Sequence, residues 1–372
     1  MPSIEKTQTL TESRALLDVL ESGFERPVYL TPEVPAISAK MREVHADFQV
    51  DEVHAYPPLG EGDHTLIRIE KEALSTPEAI RRLADRLEVS AEGAGYSGLK
   101  DRNAVTRQWI SLPKVDPEAA MRVECPQLRV LEAARHPHKL RTGHLRANRF
   151  ALRLRQVETG RLDDLEAILE SLGRQGVPNF YGPQRFGRGK LESALRWLAH
   201  PKRAPRSRFD RKFIVSVLQA ALYNLALADR MERGDFARIL PGDLLRREDS
   251  GGLFVEDDRQ AAEERHAAWE VSITGPIFGS RMPAPQGEAA EREQALLQEL
   301  GLTIDHFERF GRLARGTRRP YRVALSNCRL EKESESVIVL HFELPSGSYA
   351  TALMREILKG KAGEVSEPSR EP

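Results

Sequence analysis

Period-two and period-3.6 segments alternate over the first half of the chain. Phe48-Gln49-Val50-Asp51-Glu52-Val53 alternates as a strand, and so does His64–Lys71, with Thr65, Ile67 and Ile69 on one face. Thr76-Pro77-Glu78 has the form of a helix start: a capping hydroxyl, a proline and an acid in the first turn. Ile80, Leu83, Ala84 and Leu87 follow at helical spacing. Thr106–Leu112 reads as a strand carrying Trp109 and Ile110. Phe150, Leu152 and Leu154 alternate with Arg149, Arg153 and Arg155 as another. Arg161–Leu172 is a second amphipathic helix, ended by Gly173, Gly176 and Pro178. This mixture predicts an antiparallel sheet with helices on one face, an α+β layer.

The pattern changes near residue 178. Helices are expected at Lys190–Ala199, Arg211–Met231 and Glu288–Leu300, and a hairpin within Pro241–Val255. Thr274–Gly279 reads as a loop. Strands return from Pro320, and the nearly all-apolar Ser336–Leu344 reads as a central strand, followed by a helix at Tyr349–Leu358. Met1 to about Gly23 reads as a partly ordered arm with one weak helical patch, Ala15–Leu20, and residues 361–372 as a disordered tail. The expected organisation is one discontinuous α+β domain, residues 1–177 and 320–372, interrupted by a mostly helical domain, residues 178–319.

Charge alters this picture more than composition does. The chain has 56 basic and 56 acidic residues, so its formal charge is zero, but the charges are segregated. Ala133–Gln156 holds seven Lys/Arg and no acid, and Tyr181–Lys212 ten Lys/Arg against two acids. Glu256–Glu299 holds ten acids against four bases. Such basic segments are either solvated faces or a surface for phosphates, whose binding is electrostatic and salt-dependent. No run of 18 apolar residues and no secretory leader is visible, so no membrane span is expected. The two cysteines, Cys125 and Cys328, stand in no CxxC context, which fits a reducing cytoplasm.

The densest chemistry lies in Gly95–Leu112, GYSGLKDRNAVTRQWISL. Asp101 stands there among Lys100, Arg102 and Arg107, after two glycines that would permit a sharp loop with positive φ. A polar loop at the start of a strand is a common place for catalytic groups. The same Asp could equally cap a turn and pair with Lys100 or Arg102. His136, His138 and His144 lie in the basic segment without a nearby carboxylate or thiolate, and read as polar contacts rather than a metal site. Asn148 precedes a strand, as an ordinary turn residue or a group holding a carboxylate or base edge. Phe48 reads as a core ring. Asn179–Gly187, NFYGPQRFG, mixes rings, glycines and arginines suited to gripping a nucleic-acid backbone, or packs as a boundary turn. RFGRGK lacks the spacing of a phosphate-binding P-loop.

The blocks GYSGLKDRNAVTRQWISL, KLRTGHLRANRF, NFYGPQRFG, TGPIFGSRM and LPSGSYATALMREI, in this order, resemble the signature blocks of the TruD family of tRNA pseudouridine synthases. The resemblance runs from about Asp47 to Ile357. It implies the pseudouridine synthase fold with a TruD-specific insertion, and isomerisation of uridine to pseudouridine in tRNA, at position 13 of the D arm for bacterial members. It implies tRNA as partner, with no cofactor and no metal; no protein partner is implied, and no membrane is expected. Asp101 matches the catalytic Asp, with Lys100 before it. Asn148 and Phe150 match the NRF motif of the active site, and Phe48 the DFxV aromatic. Arg102, Lys139, Arg141, Arg149, Arg185 and Arg188 would then hold the tRNA.

The chemistry is compatible. Breaking N1–C1′ and joining C5 to C1′ leaves nothing gained or lost, so one carboxylate can serve as nucleophile or base. The target base must leave its stack, and an aromatic such as Phe150 would receive it. An RNA-binding protein of this fold without catalysis, and a hydrolase of glycosidic bonds, are the alternatives. The latter needs a second carboxylate, for which Asp51 or Glu52 could approach Asp101.

Overall fold

A computed structural model describes residues 14–255 and 258–359, apart from the side chains of Thr159, Arg188 and Pro201. The expected C-terminal tail lies outside the described residues. The chain forms two compact units.

One unit comprises Val34–Gly173, Ala324–Ala350 and the described residues from Ile357. It is built on a ten-stranded sheet. Its strands are β1 (Lys40–Met41), β2 (Phe48–His54), β3 (His64–Glu72), β4 (Gly95–Tyr96), β5 (Val105–Pro113), β6 (Glu124–Cys125), β7 (Leu128–His136), β8 (Leu145–Arg155), β9 (Ser326–Ser334) and β10 (Val337–Pro345). The order is β9-β10-β8-β2-β5-β3-β7-β6, with β1 beside β8 and β4 beside β5. Every pairing is antiparallel except β2 with β5, which run parallel. The parallel pair matters for the site. Parallel neighbours begin at the same edge of a sheet, so the loop entering β5 arrives beside the start of β2, with Val105 opposite Gln49.

Helix Thr76–Arg86 covers one face of this sheet. Ile80, Leu83 and Ala84 are buried with Ile67, Ile69, Ile110 and Leu112, as the helical spacing requires. The helix begins one residue earlier than expected. Ser75 is the N-cap and forms a capping box with Glu78. That frees Thr76, whose hydroxyl donates to Gln108 and accepts the backbone N–H of Lys100 at 2.9 Å. The nearly all-apolar β10 is an inner strand, between β9 and β8.

The other unit holds the described residues up to Glu33, Arg174–Val323 and Thr351–Glu356. Its centre is helix Arg208–Glu232. By length and composition this helix could cross a bilayer, but it is a core helix, wrapped by Leu16, Leu20, Leu195, Leu198, Phe278 and Phe307. Each such side chain contributes about 1.5–3 kcal/mol on burial. The helical patch expected at Ala15–Leu20 is part of an ordered helix, Arg14–Ser22, because Leu16 and Leu20 share one face and reach this core. One expectation fails here. The expected loop at Thr274–Gly279 contains most of a buried strand, Val271–Ile277, inside a four-stranded sheet. Gly275 suits it because a Cβ there would meet the Tyr321 ring at 2.2 Å.

The expected boundaries at 178 and 319 differ from those of the compact units, which lie at Arg174 and Val323 and bring in two distant segments. Buried Arg355 explains part of this. Its guanidinium donates to the carbonyls of Phe24, Arg26 and Val28, contacts that no local pattern announces.

Candidate active site

Asp101 lies four residues before β5, in the loop that the parallel β2–β5 pairing brings to the start of β2. Its side chain is 42% exposed. One oxygen accepts the backbone N–H of Asn103 at 3.1 Å, and the other accepts Nη1 of Arg42 at 3.1 Å. The loop is fixed from beneath by Lys71. This side chain is fully buried, and its Nζ donates to the carbonyls of Asp101 at 2.9 Å and Leu74 at 2.5 Å. Burial pushes the Lys71 pKa down to about 8, against the attraction of Asp101.

The cations expected beside Asp101 point elsewhere. Lys100 Nζ donates to Asn148 Oδ1 at 2.8 Å and sits 3.2 Å from Glu52 Oε2. Glu52 and Asn148 are direct cross-strand partners in the antiparallel β2–β8 register, so one buried ammonium can reach both. Burial drives the Glu52 pKa up, and the ammonium partly restores it. Arg102 donates to the Ala73 carbonyl and lies 3.8 Å from Glu78. Arg42 is therefore the cation on the Asp101 carboxylate. Its own pKa is lowered, because burial outweighs the pull of Asp101.

Arg42 also covers an aromatic wall. Its guanidinium carbon lies 3.9 Å from the Phe48 ring centroid. Phe48 meets Phe150 edge-on at 6.2 Å, and Phe150 stacks on Phe342 at 4.9 Å. Val50, Phe150 and Phe342 are register partners across three adjacent strands. The period of two thus puts these rings, with Glu52 and Asn148, on one face. Phe48 and Phe150 are both buried.

Of the cations expected to hold RNA, Arg149 falls on the opposite face and pairs with Glu343 at 3.2 Å. Lys139 and Arg141 are exposed. Arg185 belongs to the other unit, with its guanidinium over Tyr181 and Phe213. The side chain of Arg188 lies outside the description. His136 stacks on Tyr56, whose hydroxyl lies 2.6 Å from His144 Nδ1. Among the described residues no three His, Cys, Asp or Glu side chains gather as metal ligands would.

The positive φ expected at the two glycines before Asp101 is absent from both Gly95 and Gly98. Gly95 is required by space, since a Cβ would lie 2.4 Å from the Leu140 carbonyl and 2.5 Å from Ser111 Oγ. Arg42 and Lys71 escaped the sequence reading. Lys71 left a signal: it continues the buried Thr65, Ile67, Ile69 face of β3, where an unpaired ammonium would be costly.

The chain superposes on a crystal structure described as tRNA pseudouridine synthase D (TruD) from Methanosarcina mazei, with a TM-score of 0.72 over 91% of this chain and 98% of that one, at 22% identity. The fold is therefore the α+β pseudouridine synthase fold. The family model described as tRNA pseudouridine synthase D (TruD) matches residues 25–195 and 208–357. The chain is 42% identical over 342 residues to the tRNA pseudouridine synthase D of Anaeromyxobacter dehalogenans (strain 2CP-1), covering 90% of this chain and 97% of that protein. It is 40% identical over 350 residues to that of Thermus thermophilus, covering 94% and 96%. The chain belongs to the TruD family of tRNA pseudouridine synthases, which are isomerases.

Proposed function

We propose that this enzyme converts a uridine of tRNA, position 13 in the D arm, to pseudouridine with Asp101 as its single catalytic carboxylate. The observation that carries this reading is the state of Asp101. It is solvent-open on one side, and on the other it is held by a backbone N–H, by Arg42 and, through its own carbonyl, by buried Lys71. Either role at the sugar, attack on C1′ or removal of a sugar proton, needs an accessible and oriented anion.

The two other candidate carboxylates are occupied. Asp51 accepts two hydrogen bonds of 2.9 Å from Arg68, and Glu52 is buried against Lys100. A hydrolase with two working carboxylates therefore loses its support. In the proposed reaction the uridine leaves its stack and its base approaches the wall of Phe48 and Phe150. Lys100 and Asn148, locked to each other, orient the floor of the site. Arg102, Lys139 and Arg141 meet phosphates, which position the RNA while base contacts select the target. The domain around Asp101 is then the catalytic one and the other an insertion, and the cytoplasm is the compartment the substrate implies.

Chemical mapping of pseudouridine in tRNA tests this. Wild-type protein should modify position 13. Asp101→Asn should form no pseudouridine while still binding tRNA, and turnover by Asp101→Asn would overturn the assignment.

A further inference from the structure

Phe209 is the most exposed large hydrophobic side chain among the described residues, 74% accessible. It sits in the first turn of helix Arg208–Glu232, one turn before Phe213. The two ring planes are 3° apart with centroids at 6.3 Å. Behind them the row continues. Lys190 lies 5.9 Å and Arg185 5.7 Å from the Phe213 centroid, Arg185 also 5.8 Å from that of Tyr181, and Arg319 4.2 Å from Tyr181. Rings and cations alternate from the solvent inward.

Folding does not account for the outer end of this row. The Phe209 ring buries little, so it adds little to the core. Close to it in the chain, Lys202, Arg206, Arg208 and Lys212 are exposed and have no ion-pair partner among the described residues. The single acid between Lys202 and Lys212, Asp210, lies 3.7 Å from Lys190. Arg208 stands in the first helical turn, where a cation opposes the helix dipole, so an external anion explains it better than helix stability. An open π-face amid unpaired cations is the chemistry that recognises an unpaired nucleotide, a flat base beside phosphates.

We propose that Phe209 is a stacking platform for an unpaired base of the RNA substrate, with Arg206, Arg208 and Lys212 on the flanking phosphates. This rests on the reading of the substrate as RNA and adds a contact within the unit that does not carry Asp101. The occupant is RNA rather than protein because the surround is cationic and the one large apolar group is a single ring.

The test uses the full-length protein, an unmodified tRNA transcript and a single-stranded oligouridine, with affinity read by fluorescence anisotropy. Phe209→Ala and Phe209→Leu should each bind about 5- to 150-fold more weakly, the range expected for one lost base–aromatic stack. Phe209→Trp should bind at least as well as wild type, and the emission of the added indole should fall on RNA binding. Melting temperatures should match wild type, since the ring is exposed. Wild-type affinity in Phe209→Ala would overturn the proposal, and so would wild-type affinity in Phe209→Leu, which keeps the apolar bulk without the π-face. Loss of self-association in Phe209→Ala at unchanged RNA affinity would make the surface a protein contact and also overturn it. Pseudouridine formation by wild type is measured separately. Its absence would sink the catalytic reading and leave the stacking result standing.

Discussion

Replacing Arg42 by Gln separates orientation of Asp101 from binding of RNA. The change keeps much of the aliphatic stem but removes the guanidinium 3.1 Å from Asp101 Oδ2 and 3.9 Å from the Phe48 centroid. Two ranges bracket the effect. An exposed ion pair is worth about 0.2–1 kcal/mol. A hydrogen bond to a charged group is worth about 1.5–3 kcal/mol. The Arg42 side chain is 19% exposed and that of Asp101 42%, so the lower part of the second range applies. About 1.5–2 kcal/mol of lost orientation corresponds to a fall in kcat of roughly 10- to 30-fold. The lost cation–π contact adds about 0.5–1 kcal/mol of destabilisation. The Asn103 N–H and Lys71 still hold the loop, so it should not collapse. The assay is release of the C5 hydrogen from tRNA carrying [5-³H]uridine, with kcat and KM resolved. The expected result is a lower kcat at nearly unchanged KM, and an intermediate kcat for Arg42→Lys. A wild-type kcat in Arg42→Gln, or a change confined to KM, would refute the positioning role.

Three further outcomes follow from buried groups. Glu52 and Lys100 are an enclosed pair, 0% and 7% exposed. Removing either alone should cost about 3–5 kcal/mol, whereas the double variant Glu52→Leu/Lys100→Met should cost far less than the sum. Urea unfolding measures this, and additive losses would contradict the pairing. Burial first, then Arg322 and Arg230, lower the His266 pKa to about 3. The unfolded chain binds the proton near pH 6.5 and the folded chain does not, so stability is full above that pH and falls as pH drops toward 3. At pH 5 the loss is about 2 kcal/mol, and His266→Gln should flatten that slope in thermal melts at pH 5 and 7. An unchanged slope would remove His266 as its source. Phe150 is packed between Phe48 and Phe342, so Phe150→Ala should destabilise by about 3–5 kcal/mol. Turnover measured well below its melting temperature should still fall further than in Phe150→Tyr, and equal turnover would leave Phe150 a core ring only.

Local periodicity was enough to place β2, β3, β5 and β8 and the helix that covers them, because each segment buries one face and period reveals that face. The ordered sequence blocks carried the family. The same patterns missed the strand Val271–Ile277, where Gly275 and Pro276 look like a turn but serve a close ring contact and an all-buried neighbour. They marked the helix Arg14–Ser22 only as a weak patch at Ala15–Leu20, since two leucines are a weak signal until a core is present to receive them.

The sequence by itself singled out the proposed carboxylate Asp101, the rings Phe48 and Phe150 and Asn148, since those lie in contiguous motifs. It did not determine their partners. Lys100 is next to Asp101 in the chain yet serves Glu52 and Asn148, whereas Arg42, 59 residues away, meets the carboxylate. Adjacent side chains diverge along an extended backbone, while strand register and the parallel β2–β5 pairing bring distant ones together. Ion pairing is therefore settled by tertiary geometry. A buried ammonium such as Lys71 can hold the Asp101 loop only once the sheet has excluded water around it.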